Sequence, residues 1–211
     1  MAIRSISEFY SYSLYIFDLD NTIYNEADYL FQGYDAIAGY FSGIIKNPGK
    51  KELSEMLKRI YLEEGREKLF NKFLIRNGLD ESYIKQCLAI LRSFTTEKDL
   101  EIMIPVKKIL KTLTAAGKEV YILTNGNVQQ QKNKIRSIRW DGLDQVLNFV
   151  FAEEIEPKPS PAGIGHILHI TGIPKHQAVF TGDAESDRLS AENAGISFVE
   201  TAELLRLANS L

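Results

Sequence analysis

Two aspartates separated by one residue follow the first apolar run of the sequence. Residues 17–22 read Phe-Asp-Leu-Asp-Asn-Thr and directly follow Tyr15 and Ile16. In an extended chain, side chains two residues apart point the same way and lie about 6.5 Å apart along the strand. Two carboxylates placed in this way can divide nucleophilic attack and proton transfer between them. The same pattern also fits an ordinary strand end followed by a capped turn.

Further polar residues follow later apolar runs. Thr124 and Asn125 precede a glycine, and a hydroxyl with backbone N–H groups in such a turn can hold phosphate oxygens. Lys158 has a proline on each side, which restricts the backbone and can present one cation to a fixed point. Asp183 and Asp187 follow another apolar run. Taken singly, these features also fit an Asn-Gly turn, a solvated loop lysine and acidic helix caps.

The combination of these residues is more informative than any one of them. In open parallel sheets the carboxyl ends of the strands form the ligand-binding edge, so we expect the groups to converge there. Asp18, Asp20, Asp183 and Asp187 would then face Lys158 as a single cation and repel one another. A hard divalent cation offsets this repulsion and can be shared with a substrate phosphate. The sequence therefore predicts a Mg²⁺ site for phosphoryl chemistry.

The elements that carry these residues are short apolar runs alternating with helical stretches. Strands are expected at residues 14–17, 120–123, 149–152, 178–180 and 197–199, because runs rich in Val, Ile, Phe and Tyr are typical of strands buried on both faces. Helices are expected at residues 105–117, 128–138, 161–170 and 185–194. This alternation predicts an α/β fold, with a parallel sheet that has helices on both faces.

The stretch from residue 24 to residue 99 has a different texture. Apolar residues at helical spacing predict helices at residues 51–63, 66–75 and 83–91, and no convincing strand lies among them. Several short amphipathic helices in sequence indicate a small bundle. The expected domains are therefore a catalytic core, residues 1–23 and 100–211, and a helical insert, residues 24–99.

Composition excludes several classes of protein. A length of 211 residues predicts one or two domains, and 25 basic against 28 acidic residues leave no basic excess for gripping nucleic acid. The single cysteine, Cys87, rules out an internal disulfide. The sequence has no apolar run of the ~20 residues that a membrane helix needs, and its first residues lack a signal-peptide pattern. We therefore expect no membrane partner and a cytoplasmic location.

In its four motifs the chain resembles the haloacid dehalogenase superfamily. The motifs are residues 18–22, residues 123–125, Lys158 in Lys-Pro-Ser-Pro, and residues 182–187, and their order and spacing match across almost the whole chain. The resemblance implies a Rossmann-like core with a helical cap domain inserted after the first motif. It further implies a Mg²⁺-dependent phosphatase that hydrolyses a small organic phosphate monoester through an aspartyl-phosphate. The predicted helical insert resembles the helical cap of the subfamily that includes phosphoglycolate phosphatases and several nucleotidases.

The resemblance also implies a role for each residue. Asp18 would be the nucleophile, and Asp20 would be the general acid and then the base. Thr124 and the amide of Asn125 would hold the phosphoryl group, while Lys158 would offset charge on it. The implied Mg²⁺ ligands are Asp18, the carbonyl of Asp20 and Asp183, with Asp187 as a further ligand or as support through a water molecule.

Two alternatives to the phosphatase interpretation remain open at this point. The presence of Asp20 favours phosphate esters over carbon–halogen bonds, but a phosphomutase would use the same aspartyl-phosphate. A non-catalytic protein that kept the fold is a further alternative, although a scaffold has no need of so many carboxylates together. The sequence predicts a small phosphorylated metabolite as partner and leaves its identity and the oligomeric state open.

Overall fold

A computed structural model describes residue 3 and residues 5–208 of the chain. Five strands form one parallel sheet in the order β3-β2-β1-β4-β5, which places β1 at the centre. The strands are β1 (Leu14–Phe17), β2 (Glu119–Thr124), β3 (Asn148–Phe151), β4 (Ala178–Gly182) and β5 (Ser197–Glu200). The expected α/β fold with a parallel sheet is confirmed. Strand β3 lies one residue earlier than predicted, since Ala152 begins a short 3-10 turn, and β2, β4 and β5 are longer than predicted.

Helices connect the strands and also fill the stretch after β1. They are α1 (Ile6–Phe9), α2 (Glu26–Ser42), α3 (Lys50–Glu64), α4 (Leu69–Arg76), α5 (Ile84–Ser93), α6 (Ile104–Ala115), α7 (Val128–Ser137), α8 (Ala162–Thr171), α9 (Glu185–Ala194) and α10 (Thr201–Ala208). The described helices include none that is long and apolar enough to cross a membrane.

The central strand is buried on both faces, which explains its unbroken apolar sequence. Leu14 and Ile16 belong to a core cluster with residues of α8 and α9. The alternate side chains of Tyr15 and Phe17 point to the other face, where their rings lie 5.2 and 6.5 Å from the ring of Phe9 in α1. Because the whole strand is held from both sides, the residue that follows it has a fixed position.

Contacts divide the chain into two compact units. The first contains the sheet and consists of the residues up to Glu26, Glu101–Gln131 and the residues from Ile138 onward. Within it, the chain leaves the sheet after Tyr24 and returns at Ile102, which pairs with Tyr24 in an antiparallel bridge.

The second unit is helical and consists of Ala27–Leu100 and Lys132–Ser137. Its core includes residues from the helices expected in this stretch, such as Leu57 of α3 and Phe73 of α4, both fully buried. The ring of Phe73 packs edge-on against that of Phe41 in α2 at 5.5 Å. Helix α4 begins three residues later than the pattern predicts, because Lys68 adopts a left-handed conformation (φ 53°) that interrupts the helix.

Candidate active site

The first motif begins where the central strand ends. Asp18 directly follows β1, is 7% exposed, and donates its backbone N–H to the carbonyl of Thr181 in β4 at 2.8 Å. This bond continues the ladder of the sheet by one residue beyond the strand. The carboxylate of Asp18 is therefore fixed at the carboxyl edge of the sheet, as expected of a ligand-binding position.

The ammonium group of Lys158 bridges two motifs. Its Nζ lies 2.5 Å from Oδ1 of Asp18, 2.7 Å from Oδ1 of Asp187 and 3.1 Å from the carbonyl oxygen of Leu123. The contacts with Asp18 and Leu123 are hydrogen bonds, and the contact with Asp187 is an ion pair. With 6% exposure Lys158 is a buried cation whose charge is balanced by buried carboxylates.

Asn125 holds the backbone that carries this lysine. Its side-chain Nδ2 donates to the carbonyl of Lys158 and its Oδ1 accepts from the backbone N–H of Lys158, both at 2.9 Å. These two reciprocal hydrogen bonds join the second motif to the third. The side-chain amide of Asn125 is thus engaged within the protein, so its backbone N–H is the group left for the predicted contact with a phosphoryl oxygen.

Asp187 is buried and contacts Lys158 inside the protein. It is 1% exposed, and its Oδ2 accepts the backbone N–H of Ala184 at 3.1 Å while its Oδ1 contacts Lys158. Asp183, in contrast, is exposed. The two acidic residues of the fourth motif therefore occupy different environments, although both follow β4.

Three carboxylates of the site form a set that could hold a metal ion. One ligand oxygen from each of Asp18, Asp183 and Asp187 lies within 4.8 Å of the other two. Oxygen ligands from carboxylates are those that Mg²⁺ and Ca²⁺ prefer. Lys158 supplies only one positive charge against the three carboxylates, so the donor set fits a divalent cation both in ligand type and in charge.

The pKa values reflect this excess of negative charge. Burial raises the pKa of Asp18 to about 7, with Lys158 opposing the rise and Asp187 and Asp20 adding to it. Burial works to lower the pKa of Lys158, but Asp18 and Asp187 outweigh it and the pKa of Lys158 lies above its usual range. Partial burial and the neighbouring Asp187 raise the pKa of Asp183. A cation close to these oxygens would favour the ionised carboxylates.

The carboxylate of Asp20 is held by two other residues. The hydroxyl of Tyr24 donates to its Oδ1 at 2.6 Å, and Nε2 of Gln131 donates to its Oδ2 at 3.1 Å. The same Nε2 lies 2.5 Å from Oγ1 of Thr124, which is 2% exposed. Gln131 therefore joins the first motif to the second.

Sequence reasoning did not identify Gln131 or this role of Tyr24. Gln131 lies in α7, where three polar side chains, Gln131, Asn133 and Lys134, are almost completely buried. Polar residues in a helix are normally expected on its solvent face. The position of Gln131 in the sequence is the one signal that could have identified it. Gln131 lies in the first turn of α7, which follows the loop of Thr124 and Asn125 at the ligand-binding edge of the sheet.

Gly182 allows Asp187 to reach its buried position. A Cβ at residue 182 would lie 2.6 Å from Cβ and from Cγ of Asp187, a distance that forces the carboxylate to move. We expect Gly182→Ala to lower the free energy of unfolding by about 1–3 kcal/mol through overpacking. We also expect it to reduce enzymatic turnover, because the partner of Lys158 is displaced. Denaturant unfolding and a phosphatase assay measure the two effects.

Gly165→Ala is the matched control for this change. Gly165 lies in α8, and a Cβ there would meet no atom within 4 Å. Replacing glycine by alanine inside a helix stabilises by about 0.5–1 kcal/mol. An equal loss of stability in both variants would contradict the assignment of the effect to Asp187.

The chain matches one known protein family over most of its length. Residues 15–201 match the family model described as haloacid dehalogenase-like hydrolase, so the chain belongs to that family. A phosphoglycolate phosphatase from Pseudomonas syringae pv. tomato is 24% identical over 194 residues, which cover 88% of this chain and 68% of the relative. Matches to curated phosphoglycolate phosphatases span between 47% and 68% of the relatives' length.

Solved structures share the fold at low sequence identity. A subfamily IA hydrolase of the same superfamily from Geobacter sulfurreducens aligns with a TM-score of 0.62 and 22% identity, covering 90% of this chain and 87% of that chain. CbbY from Rhodobacter sphaeroides, solved in complex with xylulose-(1,5)bisphosphate, aligns with a TM-score of 0.56 and 13% identity, covering 90% of this chain and 85% of that chain. These likenesses confirm the Rossmann-like core fold.

Proposed function

We propose that this protein is a Mg²⁺-dependent phosphatase that hydrolyses a small organic phosphate monoester through an aspartyl-phosphate on Asp18. The observation that carries the proposal is the buried carboxylate of Asp18 at the end of the central strand, 2.5 Å from the ammonium of Lys158. Two further carboxylates, those of Asp183 and Asp187, offer oxygens to the same point. Membership of the haloacid dehalogenase-like hydrolases supports this chemistry.

In the first half of the reaction, an oxygen of Asp18 attacks the phosphorus of the substrate. A P–O bond forms to Asp18 while the ester P–O bond breaks, and the leaving oxygen takes the bonding electron pair. Asp20 donates its proton to that oxygen, so that an alcohol leaves rather than an alkoxide. The products of this step are the alcohol and the phosphorylated Asp18.

In the second half, Asp20 is ionised and accepts a proton from a water molecule. The water oxygen attacks phosphorus, the P–O bond to Asp18 breaks, and Asp18 recovers its carboxylate electron pair. Inorganic phosphate is released and Asp20 is protonated again, so the cycle balances without any oxidant or reductant. One residue serves as acid and then as base because the two steps move the proton in opposite directions.

The remaining residues bind the phosphoryl group and offset its charge. The hydroxyl of Thr124 and the backbone N–H of Asn125 donate hydrogen bonds to phosphoryl oxygens, and Lys158 reduces the repulsion between those oxygens and Asp18. The groups that would hold Mg²⁺ are the carboxylates of Asp18, Asp183 and Asp187 with the carbonyl of Asp20. When bound, the metal supplies positive charge to the phosphoryl oxygens.

We also propose that the helical unit is a cap that gives substrate selectivity. This follows the predicted domains, a cap of residues 24–99 and a core of residues 1–23 and 100–211. The substrate is a small phosphorylated metabolite, and a cytoplasmic location stays a prediction.

Several relatives carry the name phosphoglycolate phosphatase, which makes 2-phosphoglycolate the first compound to test. A panel of phosphorylated metabolites, including sugar phosphates and nucleoside monophosphates, should show release of inorganic phosphate from at least one. Formation of a phosphate isomer without phosphate release would instead identify a phosphomutase.

Removal of divalent metal should stop turnover. Treatment with a chelator followed by desalting is expected to lower phosphate release by at least about 100-fold, since a bound metal contributes several kcal/mol of charge stabilisation. Addition of Mg²⁺ should restore it. Mg²⁺ should also raise the thermal unfolding midpoint of the metal-free protein, because a ligand that binds only the folded state stabilises it.

The stabilisation by Mg²⁺ should depend on the carboxylates named above. In Asp183→Asn the shift of the unfolding midpoint is expected to disappear, whereas Asp144→Asn, at another exposed acidic residue, should keep it. Turnover that survives thorough chelation, or an equal Mg²⁺ shift in both variants, would contradict the metal site.

A further inference from the structure

Gln131 lies at a junction between two motifs. Its Nε2 is 2.5 Å from Oγ1 of Thr124, 2.8 Å from the carbonyl oxygen of Asn125 and 3.1 Å from Oδ2 of Asp20. The residue is 2% exposed, although it lies in the first turn of a polar helix. The backbone around it is fixed as well, since Asn127 accepts the N–H of Gln130 with its side chain and that of Gln131 with its carbonyl.

The surroundings of this nitrogen decide what it does to Thr124. A carbonyl and a carboxylate can only accept, so the group that faces them must be the donating amide of Gln131. Donation to Oγ1 of Thr124 occupies a lone pair of the hydroxyl. The hydroxyl hydrogen of Thr124 then has the carbonyl oxygen of Asn125 as its acceptor at 3.4 Å, a long contact that a phosphoryl oxygen can replace.

The same amide restrains Asp20 together with Tyr24. Tyr24, which is buried, donates to Oδ1 of Asp20 at 2.6 Å, while Gln131 donates to Oδ2. Each carboxylate oxygen therefore has a donor on its side, and these contacts restrain the plane of the carboxylate. Gln131 shares its two N–H hydrogens among Asp20, Thr124 and the carbonyl of Asn125. A proton donor held in one orientation does not have to be reoriented before each proton transfer, and this is how orientation contributes to catalysis.

We propose that Gln131 is a positioning residue that aligns the proton-transferring carboxylate of Asp20 and orients the hydroxyl of Thr124, with Tyr24 as the second support of Asp20. This inference rests on the proposed function, since it assigns Gln131 a role in the same reaction. Gln131 does not touch the reacting atoms itself. Its effect reaches them through Asp20, so it should be largest where protonation of the leaving group matters most.

The test compares two substrates of similar size that differ in their leaving group. 4-Nitrophenyl phosphate releases a stable phenolate, whereas benzyl phosphate releases an alkoxide that requires a proton. The constant kcat/KM is used because it reports the steps up to departure of the alcohol. In Gln131→Met we expect the ratio of kcat/KM for benzyl phosphate to that for 4-nitrophenyl phosphate to fall by at least about 10-fold, since general acid catalysis contributes about 10²–10⁴-fold.

Two further variants separate positioning from folding. Tyr24→Phe removes only the hydroxyl that reaches Asp20 and leaves Thr124 untouched, so we expect the ratio to fall by at least about 5-fold with little change for 4-nitrophenyl phosphate. Gln129→Met makes the same substitution at an exposed position of the same helix and should leave both constants unchanged. Circular dichroism and thermal unfolding establish that each variant is folded.

Outcomes that overturn the inference differ from those that overturn the proposed function. If the unmodified protein hydrolyses both esters, and Gln131→Met and Tyr24→Phe lower both constants equally or not at all, Gln131 and Tyr24 do not position Asp20. If the unmodified protein with Mg²⁺ hydrolyses neither of these esters nor any metabolite of the panel, the proposed function itself is wrong.

Discussion

Asp18→Asn is expected to abolish phosphate release while leaving the protein folded. An amide oxygen is a poor nucleophile and cannot form the aspartyl-phosphate, so kcat should fall by at least about 10³-fold, as for other nucleophile replacements. The fold should persist, because asparagine has nearly the same shape and its Oδ1 can still accept from Lys158 at the position where Asp18 does so now. Lys158 also keeps the carboxylate of Asp187 at 2.7 Å, so its buried charge is still balanced in this variant.

The control for this variant makes the same change in net charge at a position away from the site. Asp144→Asn, at an exposed residue that precedes β3, should have full activity. Steady-state phosphate release and the denaturant midpoint are measured for both proteins. Substantial residual turnover in Asp18→Asn, after the preparation is shown to be free of contaminating phosphatase, would refute Asp18 as nucleophile.

Lys158→Met should have the largest effect on stability. Its Nζ lies 2.5 Å from Asp18 and 2.7 Å from Asp187, so methionine leaves two buried carboxylates without their shared cation. Removing one partner of a buried ion pair typically costs about 3–5 kcal/mol. In metal-free buffer the loss should be larger at pH 8 than at pH 5, because without Lys158 the pKa of Asp18 rises further and protonation at low pH removes the charge. Turnover should also fall by at least about 100-fold.

A second substitution tests whether charge is the cause. Adding Asp187→Asn to Lys158→Met removes one of the stranded carboxylates, so the double variant should be more stable than Lys158→Met alone, although still inactive. Lys175→Met, at an exposed lysine, should change the free energy of unfolding by no more than about 0.5 kcal/mol. A double variant no more stable than Lys158→Met would show that lost packing, and not uncompensated charge, dominates.

Much of the core fold could be predicted because parallel strands buried on both faces have unbroken apolar sequences. Strand β1 and helix α9 have the predicted bounds, and β2 extends the prediction by one residue at each end. The short helices α1 and α10 were not predicted. Helix α1 has only four residues, and its place is set by packing of Phe9 against the sheet, which local sequence does not encode. The expected division into core and cap remains a prediction.

The candidate site could be predicted only in part. The motifs gave Asp18, Lys158 and Asp187 as neighbours, since each follows a strand of one sheet, and the structure brings them together. The partners of Asp20 could not be found in this way. Tyr24 and Gln131 reach Asp20 because of the course of the loops that follow β1 and β2. The sequence of a polar helix does not show whether a glutamine in it is a buried donor or a solvated side chain.

The covalent intermediate is the most direct test of the central claim. The protein is mixed with a substrate from the panel in the presence of Mg²⁺, quenched in acid within the first turnover, digested and examined by mass spectrometry. Slowing the second half of the reaction with Asp20→Asn, and supplying 4-nitrophenyl phosphate so that no proton donor is needed, should increase the trapped fraction. We expect one phosphoryl group on the peptide that contains Asp18 and none in the same peptide from Asp18→Asn. Rapid turnover without any phosphorylated peptide, or a phosphoryl group on another residue, would contradict the account.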